Sequence, residues 1–154
     1  MSVPLDRIDR ELVKALSRSG RATFAELGQE VRLSANTVAE RVRRLRRAGV
    51  ISRFTVDVDA ALLGKPLGVL SDVKLRDGVE RIPFAQRLST VPEVVGALRL
   101  TGEYDYQLHI VAADTAELES LIELLKREFG VASVNSRLIL REVPVDKARL
   151  LDAR

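Results

Sequence analysis

Residues 33 to 51 read LSANTVAERVRRLRRAGVI, and five arginines fall within the seven positions from 41 to 47. Val38, Val42 and Leu45 recur through the same stretch at steps of four and three, the spacing of one face of an α-helix. Such a helix needs a core on one side and tolerates only water or a polyanion on the other. Ser34 stands at its start as a cap and Gly49 at its end. The chain must therefore contain a small helical unit with one strongly positive face.

Charge separates this unit from the rest. Residues 1–58 carry twelve Arg/Lys against seven Asp/Glu, a balance of +5, whereas residues 59–154 carry thirteen against fifteen, a balance of −2. A basic third joined to a slightly acidic remainder suggests two jobs, one of them with a polyanion. The chain of 154 residues is 46% hydrophobic and 31% charged, as expected of a folded protein. Cysteine is absent, which excludes disulfides and thiolate chemistry. No signal segment and no membrane-length apolar run is evident, so the expected location is cytoplasmic, without a membrane partner.

Two further helices precede the basic one. Leu5, Ile8, Leu12 and Leu16 form a stripe, with Asp6 and Asp9 in its first turn. Thr23 and Glu26 make a capping box for the next helix, which turns Leu27 and Val31 inward. Phe24, Val38, Val42, Leu45, Val50 and Ile51 are expected to close the core. Only about residues 32–34 separate the second helix from the third, and a tight turn before a basic amphipathic helix is the helix-turn-helix arrangement. The second helix of that motif enters the major groove of double-stranded DNA, and its first turns reach base edges. Those positions are Asn36, Thr37, Glu40, Arg41 and Arg44, with the capping Ser34 beside them. Asn can pair with adenine, Arg with guanine, and Glu can accept from cytosine. Arg43, Arg46 and Arg47 read as phosphate contacts or solvated charge. Residues 52–60 alternate apolar and polar as a strand would, placing Arg53 where it could touch the DNA backbone.

The second half reads β-α-β-β-α-β: a strand over 67–75, a helical face at Ile82, Ala85 and Leu88, strands over 94–100 and 106–111, a helix capped by Thr115, and a strand over 134–143. That order is the ferredoxin-like split βαβ pattern, with both helices on one face of an antiparallel sheet. The fold class is thus α+β. The expected division is a helix-turn-helix domain over 1–52, a strand and linker over 53–66 around the Gly/Pro mark LGKPLG, and a ferredoxin-like domain over 67–154. Adjacent apolar residues, such as Val94 with Val95 and Leu138 with Ile139, imply a sheet apolar on both faces. A second copy on the uncovered face would satisfy it.

LDRIDRELVKAL, GRATFAEL, LSANTVAERVRRLRRAGVI and TGEYDY, in this order and spacing, resemble the Lrp/AsnC (leucine-responsive regulatory protein/asparagine-synthesis regulator) family of prokaryotic transcription factors. The resemblance covers nearly the whole chain. It implies DNA binding through the helix-turn-helix, homodimers that often assemble into octamers, and control by a small effector, commonly an amino acid, bound by the C-terminal oligomerising domain. It also places the effector loop at Gly102, Glu103, Tyr104 and Asp105. Where relatives often carry two threonines on the fourth strand, this chain has Val134 and Ser136. It departs from the family again at Arg32, where many relatives have glycine in the turn between helices; a left-handed backbone there would strain Arg.

Other features read as ordinary structure. Asp105 could simply cap a turn. Gly28 is expected only to weaken its helix modestly. His109, the one histidine, suits a structural role, and with no cysteine it supports no metal site. No nucleophile stands beside a base, so an enzyme is disfavoured and no cofactor is expected. An effector-independent architectural DNA-binding protein is the alternative to an effector-linked regulator.

Overall fold

The computed structural model describes residues 3–152, which divide into two units: residues 3–57 with 143–152, and residues 58–142. The first unit holds α1 (Arg7–Arg18), α2 (Phe24–Val31) and α3 (Ala35–Arg47). Asp6 caps α1 in a reciprocal box with Asp9, Thr23 caps α2 with Glu26, and the Ser34 hydroxyl accepts from the Thr37 N–H at 3.2 Å. Leu12, Ala15, Leu27, Val38 and Val42 form the buried core, with Ile51 packed at its margin. Phe24, expected in that core, is the first residue of α2 and is 42% exposed.

The turn between α2 and α3 rests on two residues. Arg32 is the one non-glycine residue with positive φ among those described (φ 57°, ψ 47°), so the strain foreseen there is present. The amides of Arg32 and Leu33 both donate to the Gly28 carbonyl. Gly28 is buried, and a Cβ on it would lie 2.5 Å from the Leu33 carbonyl oxygen. This is more than a modest helix weakness: glycine is what lets the turn close over α2.

The strand expected over 52–60 does not form. Residues 52–59 carry no strand, and Phe54, Val56 and Val58 are exposed, because no other described strand offers its edge to them. The C-terminal residues also depart from the expected division. Instead of joining the ferredoxin-like unit, residues 143–152 belong to the first unit. A 3-10 helix (Lys147–Asp152) lies along α1 there, burying Ala148; Arg10 donates to the Leu151 carbonyl and Lys14 pairs with Asp152 at 2.6 Å. The contacts joining it to α1 are charged and far apart in sequence, so no hydrophobic period announces them.

The second unit contains β1 (Leu67–Leu75), α4 (Arg81–Leu88), β2 (Val94–Arg99), β3 (Tyr106–Ala112), α5 (Thr115–Glu128) and β4 (Val131–Leu138). The strands form one antiparallel sheet in the order β2-β3-β1-β4. Val69, Val73, Leu108, Ile110 and Val131 are fully buried, with Leu121 and Leu125 of α5 in the same core. Phe84 of α4 packs on Tyr106 at 4.9 Å between ring centroids. Two boundaries move. Asp114 caps α5 in place of Thr115, its carboxylate accepting from the Glu117 N–H at 2.9 Å. The last strand starts at Val131 after the left-handed Gly130 and ends at Leu138, since its partner β1 begins at Leu67.

Candidate nucleic-acid interface and effector loop

On α3 the side chains sort by angle. Asn36, Glu40, Arg43 and Arg47 follow at steps of four, three and four, which places them on one stripe opposite Val38, Val42 and Leu45. All four are exposed, with Thr37 at their flank sharing a 2.8 Å hydroxyl hydrogen bond with Ser34. Glu40 and Arg43 stand 3.9 Å apart, both largely exposed, so this pair contributes little and leaves both free to rearrange.

Arg41 is held elsewhere. Its guanidinium donates to Asp6 Oδ2 at 2.6 Å and to Asp9 Oδ1 at 2.9 Å. Arg44 reaches the other Asp9 oxygen at 2.5 Å. The Asp9 side chain is 1% exposed, so both arginines serve a buried carboxylate on α1. The Asp9 N–H, then Arg41, hold the Asp6 carboxyl below the usual carboxylate range, and Asp6 in turn raises the Arg41 pKa. Arg41, placed among the base-reading residues by its position in the sequence, braces α3 against α1. Arg44 pairs with the same Asp9 but is half-exposed. Arg46 leaves the stripe to lie over the Phe54 ring, 5.8 Å from its centroid. Arg53 is exposed beyond α3.

In the second unit, residues 102–105 lie in the turn between β2 and β3. Gly102 has φ +111°, open to glycine and strained for any other residue. Glu103 is exposed and Tyr104 half-buried. The Asp105 carboxylate is already engaged: it accepts from the Leu75 N–H at 2.9 Å and from Arg81 at 3.4 Å. The Leu75 amide, then Arg81, lower its pKa. Val134 and Ser136 stand across β1 from this loop, paired with Val73 and Ser71, and the Ser136 hydroxyl is 2.8 Å from that of buried Ser71. With strands about 4.8 Å apart, β1 stands between the loop and β4.

The sheet face away from α4 and α5 carries Leu70, Leu98, His109 and Val111 around a polar centre. There Asp72, 9% exposed, accepts from Gln107 Nε2 at 2.8 Å and Arg137 at 2.6 Å. Asp72 was not among the residues expected to matter; its signal was an acid in the middle of a strand rich in Leu and Val.

A basic recognition helix in a helix-turn-helix, followed by a split βαβ unit, defines a DNA-binding protein with an α+β companion domain. The AsnC-type helix-turn-helix domain family matches residues 5–46, and the Lrp/AsnC ligand binding domain family matches residues 69–148. The chain is 33% identical to the HTH-type transcriptional regulator FL11 of Pyrococcus horikoshii over 92% of this chain and 93% of that one. It is 32% identical to the Bkd operon transcriptional regulator of Pseudomonas aeruginosa over 94% and 96%. Among solved structures it is similar to Bacillus subtilis LrpC (TM-score 0.84, 27% identity, covering 92% and 99%). It is also similar to the transcriptional regulator NMB0573/L-Met complex from Neisseria meningitidis (TM-score 0.86, 26% identity, covering 94% and 96%). The chain belongs to the Lrp/AsnC family of transcriptional regulators. It is a regulator of that kind and not an enzyme, and no helix among the described residues is long and apolar enough to cross a membrane.

Proposed function

We propose that the stripe Asn36, Glu40, Arg43 and Arg47, with Ser34, Thr37 and Arg53 beside it, is the surface that binds double-stranded DNA in the cytoplasm. The observation that carries this reading is the division of labour on α3: Arg41 is taken up by Asp6 and Asp9, while Arg43 and Arg47 face solvent and, among the described residues, pair with no buried carboxylate. Arg43 and Arg47 then act on phosphate, Asn36 and Glu40 on base edges, and half-exposed Arg44 on either. Mobility shift over a range of salt tests it. Arg43→Ala and Arg47→Ala should each flatten the salt slope by about 0.9 and weaken all sequences alike. Arg41→Ala should instead lower the melting temperature. Unchanged salt slopes in both Arg43 and Arg47 variants would refute the assignment.

The effector is an amino acid or related metabolite, bound where residues Gly102, Glu103, Tyr104 and Asp105 of one subunit meet Val134 and Ser136 of another. The ligand binding domain match supports this, as does the L-Met complex of the Neisseria protein. Glu103 is the carboxylate left free for an ammonium, since Asp105 already holds the loop. Such a site needs subunits in contact. The apolar face around Leu70, Leu98 and Val111 supports a homodimer, with an octamer of four dimers above it. An effector then changes DNA affinity by binding one assembly state more tightly, typically by about 1–3 kcal/mol. Calorimetry with the twenty amino acids on wild type and Glu103→Gln tests the site. Binding unaltered by the substitution would place it elsewhere, and no binding would favour an architectural protein.

A further inference from the structure

A groove of about 650 Å³ runs between α4 and the edge strand β2. Its two ends differ in chemistry. At one end the register sets Arg99 opposite Tyr106, whose hydroxyl donates to the Arg81 carbonyl at 3.2 Å, and both arginines line the groove there, at the start of α4. That helix start has no side-chain cap, which adds its own positive end. Towards the other end Ala85 and Leu88 of α4 face Ala97 of β2, and the two small side chains keep the groove open. Arg81 is half-exposed and holds Asp105 only at 3.4 Å, while Arg99 enters no ion pair among the described residues.

We propose that this groove binds a small aliphatic carboxylate that carries no ammonium group. The carboxylate lies between Arg81 and Arg99, in the geometry guanidinium forks favour, and the aliphatic body lies over Ala85, Ala97 and Leu88. One turn of α4 rises about 5.4 Å and two residues of β2 about 6.8 Å, which suits a chain of roughly four to six carbons. An α-ammonium would sit against two guanidinium groups, so an amino acid is the wrong ligand here. This separates the groove from the amino-acid site proposed on the loop. The two remain coupled, because a carboxylate that takes Arg81 takes it from Asp105 and leaves the loop held by the Leu75 amide alone.

Calorimetry on the full chain, without DNA or amino acid, uses butyrate, hexanoate and hexylamine as probes. Hexanoate should bind saturably, about fourfold tighter per methylene than butyrate, and hexylamine should not compete with it. Arg99→Gln should weaken hexanoate at least tenfold, and Ala97→Leu, which fills the groove from an exposed edge strand, should abolish binding with the melting temperature retained. Asp105→Asn should tighten hexanoate by releasing Arg81. No saturable hexanoate binding, equal affinity for hexylamine, or undiminished binding by Ala97→Leu would overturn the proposal. Each of those results leaves the loop site standing, since that site is read from the amino-acid titration alone.

Discussion

The two units treat the surface opposite their cores in contrary ways. In the first, the back of α3 is charged, and part of that charge is neutralised from within by Asp6 and Asp9. In the second, the back of the sheet is apolar at Leu70, Leu98 and Val111, around the pairing of Asp72 with Arg137. A charged face can stay in water until a polyanion arrives. An apolar face is stable only when covered. The charged face thus suits intermittent contact with DNA, whereas the apolar face is the one that the proposed homodimer would cover.

The strongest test of that contrast breaks the first unit alone. Gly28→Ala sets a Cβ 2.5 Å from the Leu33 carbonyl oxygen, a backbone atom with no rotamer to escape into. It should cost about 3 kcal/mol or more and abolish DNA binding, with the sheet unit still giving its own unfolding transition by circular dichroism. A single transition at the wild-type temperature would show that the turn yields. Next is the apolar face. Leu98→Asp sets a charge in the proposed self-association surface and should weaken the proposed dimer at least a hundredfold by sedimentation velocity. A dimer that persists at wild-type concentration would move the interface elsewhere.

Asp9→Ala removes a carboxylate that is 1% exposed and serves both Arg41 and Arg44. Breaking a buried pair costs roughly 3–5 kcal/mol; because Arg44 is half in water, about 2 kcal/mol is expected by urea denaturation. A loss below about 0.5 kcal/mol would reduce the brace to a surface pair. In the sheet unit the comparable anchor is Asp105, whose pKa is lowered first by the Leu75 amide and then by Arg81. A lowered folded pKa means its contribution is complete above the ordinary carboxylate value near 3.9 and is lost as pH falls through the folded value. Acid should therefore loosen the loop in wild type, whereas Asp105→Asn should flatten that part of the stability–pH curve; equal curves would deny the anchor. The smallest effect is at Arg32, held at φ 57°. Arg32→Gly should relieve the left-handed strain and raise stability by about 0.5–1 kcal/mol. A fall in melting temperature would mean that unfolded-chain entropy outweighs the strain.

Local pattern determined much of this protein. The steps of Val38, Val42 and Leu45, the Thr23/Glu26 box, and the alternation along β3 are interactions between near neighbours, so the succession of helices and strands and the α+β class are written in the sequence itself. The same holds for the basic face of α3 as a whole. Which arginines within it stay free is a different matter. That depends on Asp9, thirty-two residues before Arg41 and on another helix, and spacing along the chain carries no record of such a pairing. Gly28 likewise reads as a weak helix position until Leu33 is seen folding back over it. The strand expected over residues 52–60 has the right alternation, but a strand needs an edge to pair with, and only tertiary structure decides whether one is offered. The C-terminal helix along α1 and the groove between α4 and β2 follow the same rule. Periodicity fixes which way a side chain faces on its own element, and only the packing of elements fixes what it meets there.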